Sequence, residues 1–138
     1  MRILAIDVGK ASSGAAFAKD GKINSSFTFS FKAHDQYYKQ ILALIDKCKP
    51  ELIGTAKPNR FYNTIYSHAQ MIALIELAAE HRDLSVFLLH DREIKSWAFP
   101  KQKKVSKAEV RKKYGGKTND EADARMFAMF LDAKVVTG

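Results

Sequence analysis

Across residues 2–31 the apolar residues run unbroken or alternate with polar ones, and from residue 35 onward they recur at helical spacing. That change of period most limits the fold, because alternation buries one face of a strand and helical spacing buries one stripe of a helix. Arg2–Asp7 reads as an apolar strand, followed by a glycine-containing turn over residues 8–14. A second strand covers roughly Ala15–Ala18, and Asp20-Gly21 is a hairpin signal. The third strand, from about Ile23, sets Phe27, Phe29 and Phe31 on one face with Ser or Thr between them. That pattern suits one buried and one wet face. Three antiparallel strands are expected first.

Asp35–Lys49 spaces Tyr38, Ile41, Leu44, Ile45 and Cys48 as one helix face, and Pro50 stops the helix. Glu51–Ala56 reads as a short buried strand. Residues 63–81 read as a long helix with Ile65, Ala69, Ile72, Ile75 and Ala79 inward, and Leu84–Leu89 as a further strand. Ser106–Tyr114 reads as a helix with Ser106 as N-cap, Glu109 at the capping-box position and Gly115-Gly116 as its stop. The last helix runs from about Asn119 to Ala133, capped by Thr118 or Asn119. The expected order is β-β-β-α-β-α-β-α-α, an α/β domain with a mixed five-stranded sheet and helices on both faces.

The whole chain of 138 residues fits one such domain and needs no disulfide to build a core. Its single cysteine, Cys48, has no internal partner and reads as a buried structural thiol in a reducing compartment. Asp7 falls where a signal peptide would still be apolar, and no run approaches the ~18 apolar residues of a membrane helix. A soluble, intracellular protein is expected.

The net charge of +8 is confined to one stretch. Between Arg92 and Lys117 stand Arg92, Lys95, Lys101, Lys103, Lys104, Lys107, Arg111, Lys112, Lys113 and Lys117, opposed only by Glu93 and Glu109. The rest of the chain is neutral. Such a concentration fits a polyanion-binding surface, although a lysine run alone is as often a solvated face.

Three carboxylates stand out by position. Asp7 ends an apolar strand before a glycine turn, and Asp120 and Asp123, three apart at the start of the last helix, share one face. An aspartate at a helix start commonly does no more than complement the dipole. A strand-end aspartate together with this pair points instead to a divalent cation, since hard Mg²⁺ or Mn²⁺ prefers oxygen ligands and clustered carboxylates repel one another without one.

In these motifs the sequence resembles the RuvC family of Holliday junction resolvases, particularly its short bacteriophage-type relatives, over nearly the whole length. Ile3-Leu4-Ala5-Ile6-Asp7-Val8-Gly9 resembles the family's first strand and catalytic aspartate. Asn119-Asp120-Glu121-Ala122-Asp123-Ala124 resembles its closing Asp-x-x-Asp-Ala motif. Lys107-Ala108-Glu109-Val110 resembles the upstream Lys-x-x-Val segment, and Lys95 stands where the family has an earlier functional lysine. The resemblance implies an RNase H-like fold and in-line hydrolysis of a DNA phosphodiester with two Mg²⁺ ions, or Mn²⁺. Asp7 would bridge the ions, Asp120 and Asp123 would hold one of them, and Lys107 would offset charge on the phosphate. It further implies a homodimer acting on four-way junctions in the cytoplasm of a bacterial or phage-infected cell. The basic residues Lys95, Lys101, Lys103, Lys104, Lys107, Arg111, Lys112 and Lys113 are the expected DNA contacts. In the loop after the fourth strand, the resemblance implies that Arg60, Phe61 and Tyr62 reach the junction, with Phe61 or Tyr62 stacking on bases; the alternative is that the aromatics simply cover the start of the long helix.

One departure stands out. The family carries a catalytic glutamate at the end of the fourth strand, where this chain has Ala56, followed by Lys57-Pro58. Either the chain is naturally degenerate there or it carries an inactivating substitution, and the intact remainder of the site favours the latter. Glu51 begins the same strand, about 16 Å from its far end, and Glu76 lies deep in a helix, so neither is expected to substitute. The resemblance thus implies a nuclease impaired at one ligand. The alternatives are a non-catalytic junction-binding protein or an RNase H-like nuclease processing RNA. A sugar-kinase or actin-like ATPase also opens with a strand, Asp and a Gly turn, but needs two such domains.

Overall fold

Ile3, Leu4, Ala5 and Ile6 are all completely buried, as they must be in a central strand covered on both faces. They belong to β1 (Arg2–Asp7) of a computed structural model that describes residues 1–9, 12–57 and 62–136. The other strands are β2 (Ser12–Lys19), β3 (Lys22–Ser30), β4 (Leu52–Ala56) and β5 (Val86–Leu89). They form one sheet in the order β3-β2-β1-β4-β5. The first three are antiparallel, whereas β4 and β5 run parallel to β1 after helical crossovers.

Helices α1 (His34–Cys48) and α2 (Tyr62–Glu80) cover one face over Leu4, Ile6, Ala15 and Ile53. Helices α3 (Asp91–Ala98), α4 (Lys107–Tyr114) and α5 (Asn119–Val136) cover the other over Ile3, Ala5, Ala16 and Ala18. The mixed five-stranded sheet between helical layers is as expected. Both predicted caps form: the Glu109 N–H donates to Ser106 Oγ at 3.1 Å, the Ser106 N–H to Glu109 Oε1 at 3.2 Å, and the Glu121 N–H to Thr118 Oγ1 at 3.1 Å. Among the described residues no helix is long and apolar enough to cross a membrane.

The structure departs from the expected order in one element. Helix α3 was not expected: it has only eight residues, four of them charged, and the His90 side chain at its N-cap makes no capping hydrogen bond. It forms because Ile94 and Ala98, one turn apart, bury against α5. Smaller differences follow from packing. β2 begins three residues earlier than expected, at Ser12. Tyr37, not Tyr38, is the buried ring of α1, Cys48 is half-buried, and Ala69 is exposed. The face of β3 expected to be wet is exposed at Asn24, Thr28 and Ser30, and it also bonds α5, with Ser26 and Thr28 donating to Glu121 at 3.0 and 3.3 Å.

Candidate active site

Asp7 is the last residue of β1, and the antiparallel register sets it opposite Gly14 of β2. A side chain at Gly14 would put its Cβ 2.1 Å from the carbonyl oxygen of Asp120. Only glycine therefore allows the start of α5 to rest on the sheet beside Asp7. Further bonds hold that helix end in place. Ser12 Oγ donates to Asp120 Oδ2 at 3.2 Å, the buried Glu121 receives Ser26 and Thr28, and Arg125 Nε donates to Ser26 Oγ at 2.7 Å. Behind the turn after Asp7, the Gly9 N–H meets Ser13 Oγ at 3.4 Å, and Ser13 bonds the buried Tyr37 hydroxyl at 3.2 Å. Sequence reasoning passed over Gly14, Ser13, Tyr37 and Glu121, because their roles arise from long-range contacts.

The predicted carboxylates come together. Burial raises the Asp7 carboxyl well above the usual carboxylate range, and the charges of Asp123, Asp120 and Asp91 push it further. The charges that act on Asp7 most strongly are thus negative. Asp123 is pushed up to about 6, chiefly by burial; Lys95 opposes, Asp91 and Asp120 add, and Lys107 opposes. Both predicted lysines therefore lie within electrostatic reach of Asp123. Asp91, an unpredicted member, begins α3 and pairs with Lys95 at 2.9 Å.

Among the described residues, no three of these side chains already stand at the mutual spacing that encloses a metal ion. Asp120 is engaged by Ser12 and Asp91 by Lys95. The donor set nevertheless suits a hard divalent ion. It is all oxygen, and it concentrates negative charge where burial makes that charge costly.

Ala56 ends β4. The parallel register pairs Ile6 with Thr55, and Thr55 Oγ1 donates to the Ile6 carbonyl at 2.8 Å. One step further along both strands sets Ala56 beside Asp7, and Ala56 packs with the cluster on the α5 side at 9% exposure. Glu51 lies at the opposite end of the strand, paired with Arg2 at 3.6 Å, and Glu76 is exposed on α2.

The basic segment wraps the same side of the sheet. Arg92 and Lys95 lie on α3, Lys101, Lys103 and Lys104 on the connection to α4, and Lys107, Arg111, Lys112 and Lys113 on α4. Most are exposed, Lys95 is half-buried, and two exposed ones are engaged by neighbouring groups. Lys113 donates to the Ala98 carbonyl and sits 4.9 Å from the centre of the Phe99 ring, and Arg111 donates to the Lys117 carbonyl at 3.2 Å. Arg60 and Phe61 lie outside the described residues, as does the side chain of Tyr62, which opens α2.

A mixed sheet of this order with helices on both faces is the RNase H-like fold shared by solved RuvC structures. No protein-family model and no curated protein sequence matches the chain. Solved structures do. The chain superposes on Thermus thermophilus RuvC in complex with a Holliday junction substrate with a TM-score of 0.82, at 16% identity, over 100% of this chain and 96% of that one. The Fowlpox virus resolvase in complex with its substrate Holliday junction DNA matches with a TM-score of 0.64, at 12% identity, over 98% and 99% of the chains. The yeast mitochondrial Holliday junction resolvase matches with a TM-score of 0.63, at 15% identity, over 93% and 77%. At these identities the likeness is one of fold.

Proposed function

We propose that this protein is a structure-selective endonuclease that binds four-way junctions and other branched DNA, and hydrolyses their phosphodiesters with Mg²⁺ or Mn²⁺. The observation carrying this reading is the convergence of Asp7, Asp120 and Asp123 with Lys95 and Lys107 at one end of a RuvC-like sheet. Asp7, Asp120 and Asp123 hold the cations, probed equally well by Mn²⁺. Bound there, divalent ions supply charge neutralisation and Lewis acidity for an in-line displacement. Lys95 and Lys107 offset the charge of the scissile phosphate, and the exposed lysines of the 101–104 connection and α4 take the flanking phosphates. Phe61 or Tyr62 stacks on bases at the junction centre, and two copies of the chain place paired nicks.

Ala56 favours a second reading, in which the protein binds junctions without cutting them. A cleavage assay on a synthetic four-way junction, with Mg²⁺ and with Mn²⁺, separates the two. Nicking by this chain that disappears in Asp7→Asn supports the nuclease. Tight binding with no nicking by this chain, recovered only in Ala56→Glu, supports the impaired binder. Absence of junction binding refutes both.

A further inference from the structure

We infer that Asp91 takes the place of the metal-ligating carboxylate that the fourth strand lacks at Ala56. The inference rests on the nuclease reading and names one more ligand for its site. Strands β4 and β5 run parallel with Ala56 paired to Leu89, and the Lys57 N–H donates to the Leu89 carbonyl at 2.7 Å. The two strands therefore leave the sheet side by side, about 4.8 Å apart. Asp91 follows Leu89 by two residues, at the same end of the sheet as Asp7. A carboxylate lost from one strand end is thus found at the end of its neighbour.

The surroundings of Asp91 are not those of a surface ion pair. Its side chain is only 25% exposed. Its charge acts on both Asp7 and Asp123, and on Asp123 more strongly than that of Asp120 does. A first-turn aspartate paired four residues on to a lysine contributes little to stability when exposed. Half-buried and near two further carboxylates, it adds negative charge that a cation joining the set would offset. Lys95 is shared between Asp91, which it contacts, and Asp123, whose charge it offsets, so it does not serve Asp91 alone. The charges that act on Asp7 most strongly are those of carboxylates.

The test is a Mn²⁺ titration at neutral pH, following free Mn²⁺ by electron paramagnetic resonance, on the full chain and on Asp91→Asn, Asp7→Asn and Asp91→Asn/Ala56→Glu. Thermal unfolding in EDTA accompanies each variant. Asp91→Asn should bind Mn²⁺ at least about tenfold more weakly, in keeping with loss of a metal-site partner, while melting no lower than the parent in EDTA. Adding Ala56→Glu should restore both Mn²⁺ affinity and junction nicking, which repair of a merely structural defect would not do. If Asp91→Asn keeps the parent affinity while Asp7→Asn loses it, Asp91 is no ligand and the nuclease site stands without it. If neither changes, the metal site itself is misassigned, and this inference falls with it.

Discussion

Removing the charge of Asp123 should stabilise the metal-free protein at neutral pH. The carboxyl is held up to about 6 against an ordinary value of 3.8, chiefly by burial, with Lys95 opposing and Asp91 and Asp120 adding. Below 3.8 the folded and unfolded chains both carry the proton, and the site costs nothing. Between the two values only the folded chain holds it, so stability falls as pH rises, and the full penalty persists above about 6. At about 1.4 kcal/mol per unit the shift corresponds to roughly 3 kcal/mol. Because the side chain is partly exposed, solvent screening reduces this to about 1–2 kcal/mol. For a domain of this size that is a rise in Tm of roughly 4–8 °C for Asp123→Asn.

The measurement is thermal unfolding by circular dichroism in EDTA, at about pH 7.5 and about pH 3.5. The gain should appear at the higher pH and vanish at the lower. Saturating Mn²⁺ should invert the order, because it stabilises whichever folded protein binds it better. A gain of the same size at both pH values, or a lower Tm for Asp123→Asn at neutral pH, would refute the reasoning.

Three further outcomes are expected. Affinity for a four-way junction should fall steeply with salt, and replacing Lys103, Lys104 and Lys112 with Ala should flatten the log–log slope by up to about 0.9 for each phosphate left unneutralised; an unchanged slope removes this surface from DNA binding. Gly14→Ala should cost about 2–4 kcal/mol in urea unfolding and weaken Mn²⁺ binding, since its Cβ meets the Asp120 backbone; parental stability would show that β2 and α5 are not so closely seated. Ala56→Glu should lower stability in EDTA by about 1–3 kcal/mol, because it sets another carboxylate beside Asp7 in apolar surroundings, and Mn²⁺ should return most of that loss; a variant as stable as the parent in EDTA would mean that position 56 does not face the carboxylates.

The features legible in the sequence are those written in local spacing. The apolar run Ile3–Ile6 announces a strand, and Ser106 with Glu109 announces a capped helix start; both occur as read. Asp120 and Asp123 are three apart on one helix, so their shared face needs no tertiary information. Helix α3 is different, since its two buried residues, Ile94 and Ala98, are too few to write a stripe in the sequence and are buried by tertiary packing, α5 included. Gly14 reads as one more residue of a turn until the register sets it opposite Asp7 and under Asp120.

Asp91 was hidden for a sharper reason. Taken along the chain, it is the acidic residue just before a segment that carries the entire net charge, so it reads as the edge of a charge block. In space it belongs with carboxylates drawn from β1 and α5, 84 and 32 residues away. That relation depends on the parallel register of β4 and β5, which no local pattern specifies, because side-chain alternation decides faces but not which strand end adjoins which. The same register explains why Ala56 stands out. On the inference drawn above, the carboxylate absent at the end of β4 is replaced by one at the start of α3, just beyond the end of the neighbouring strand.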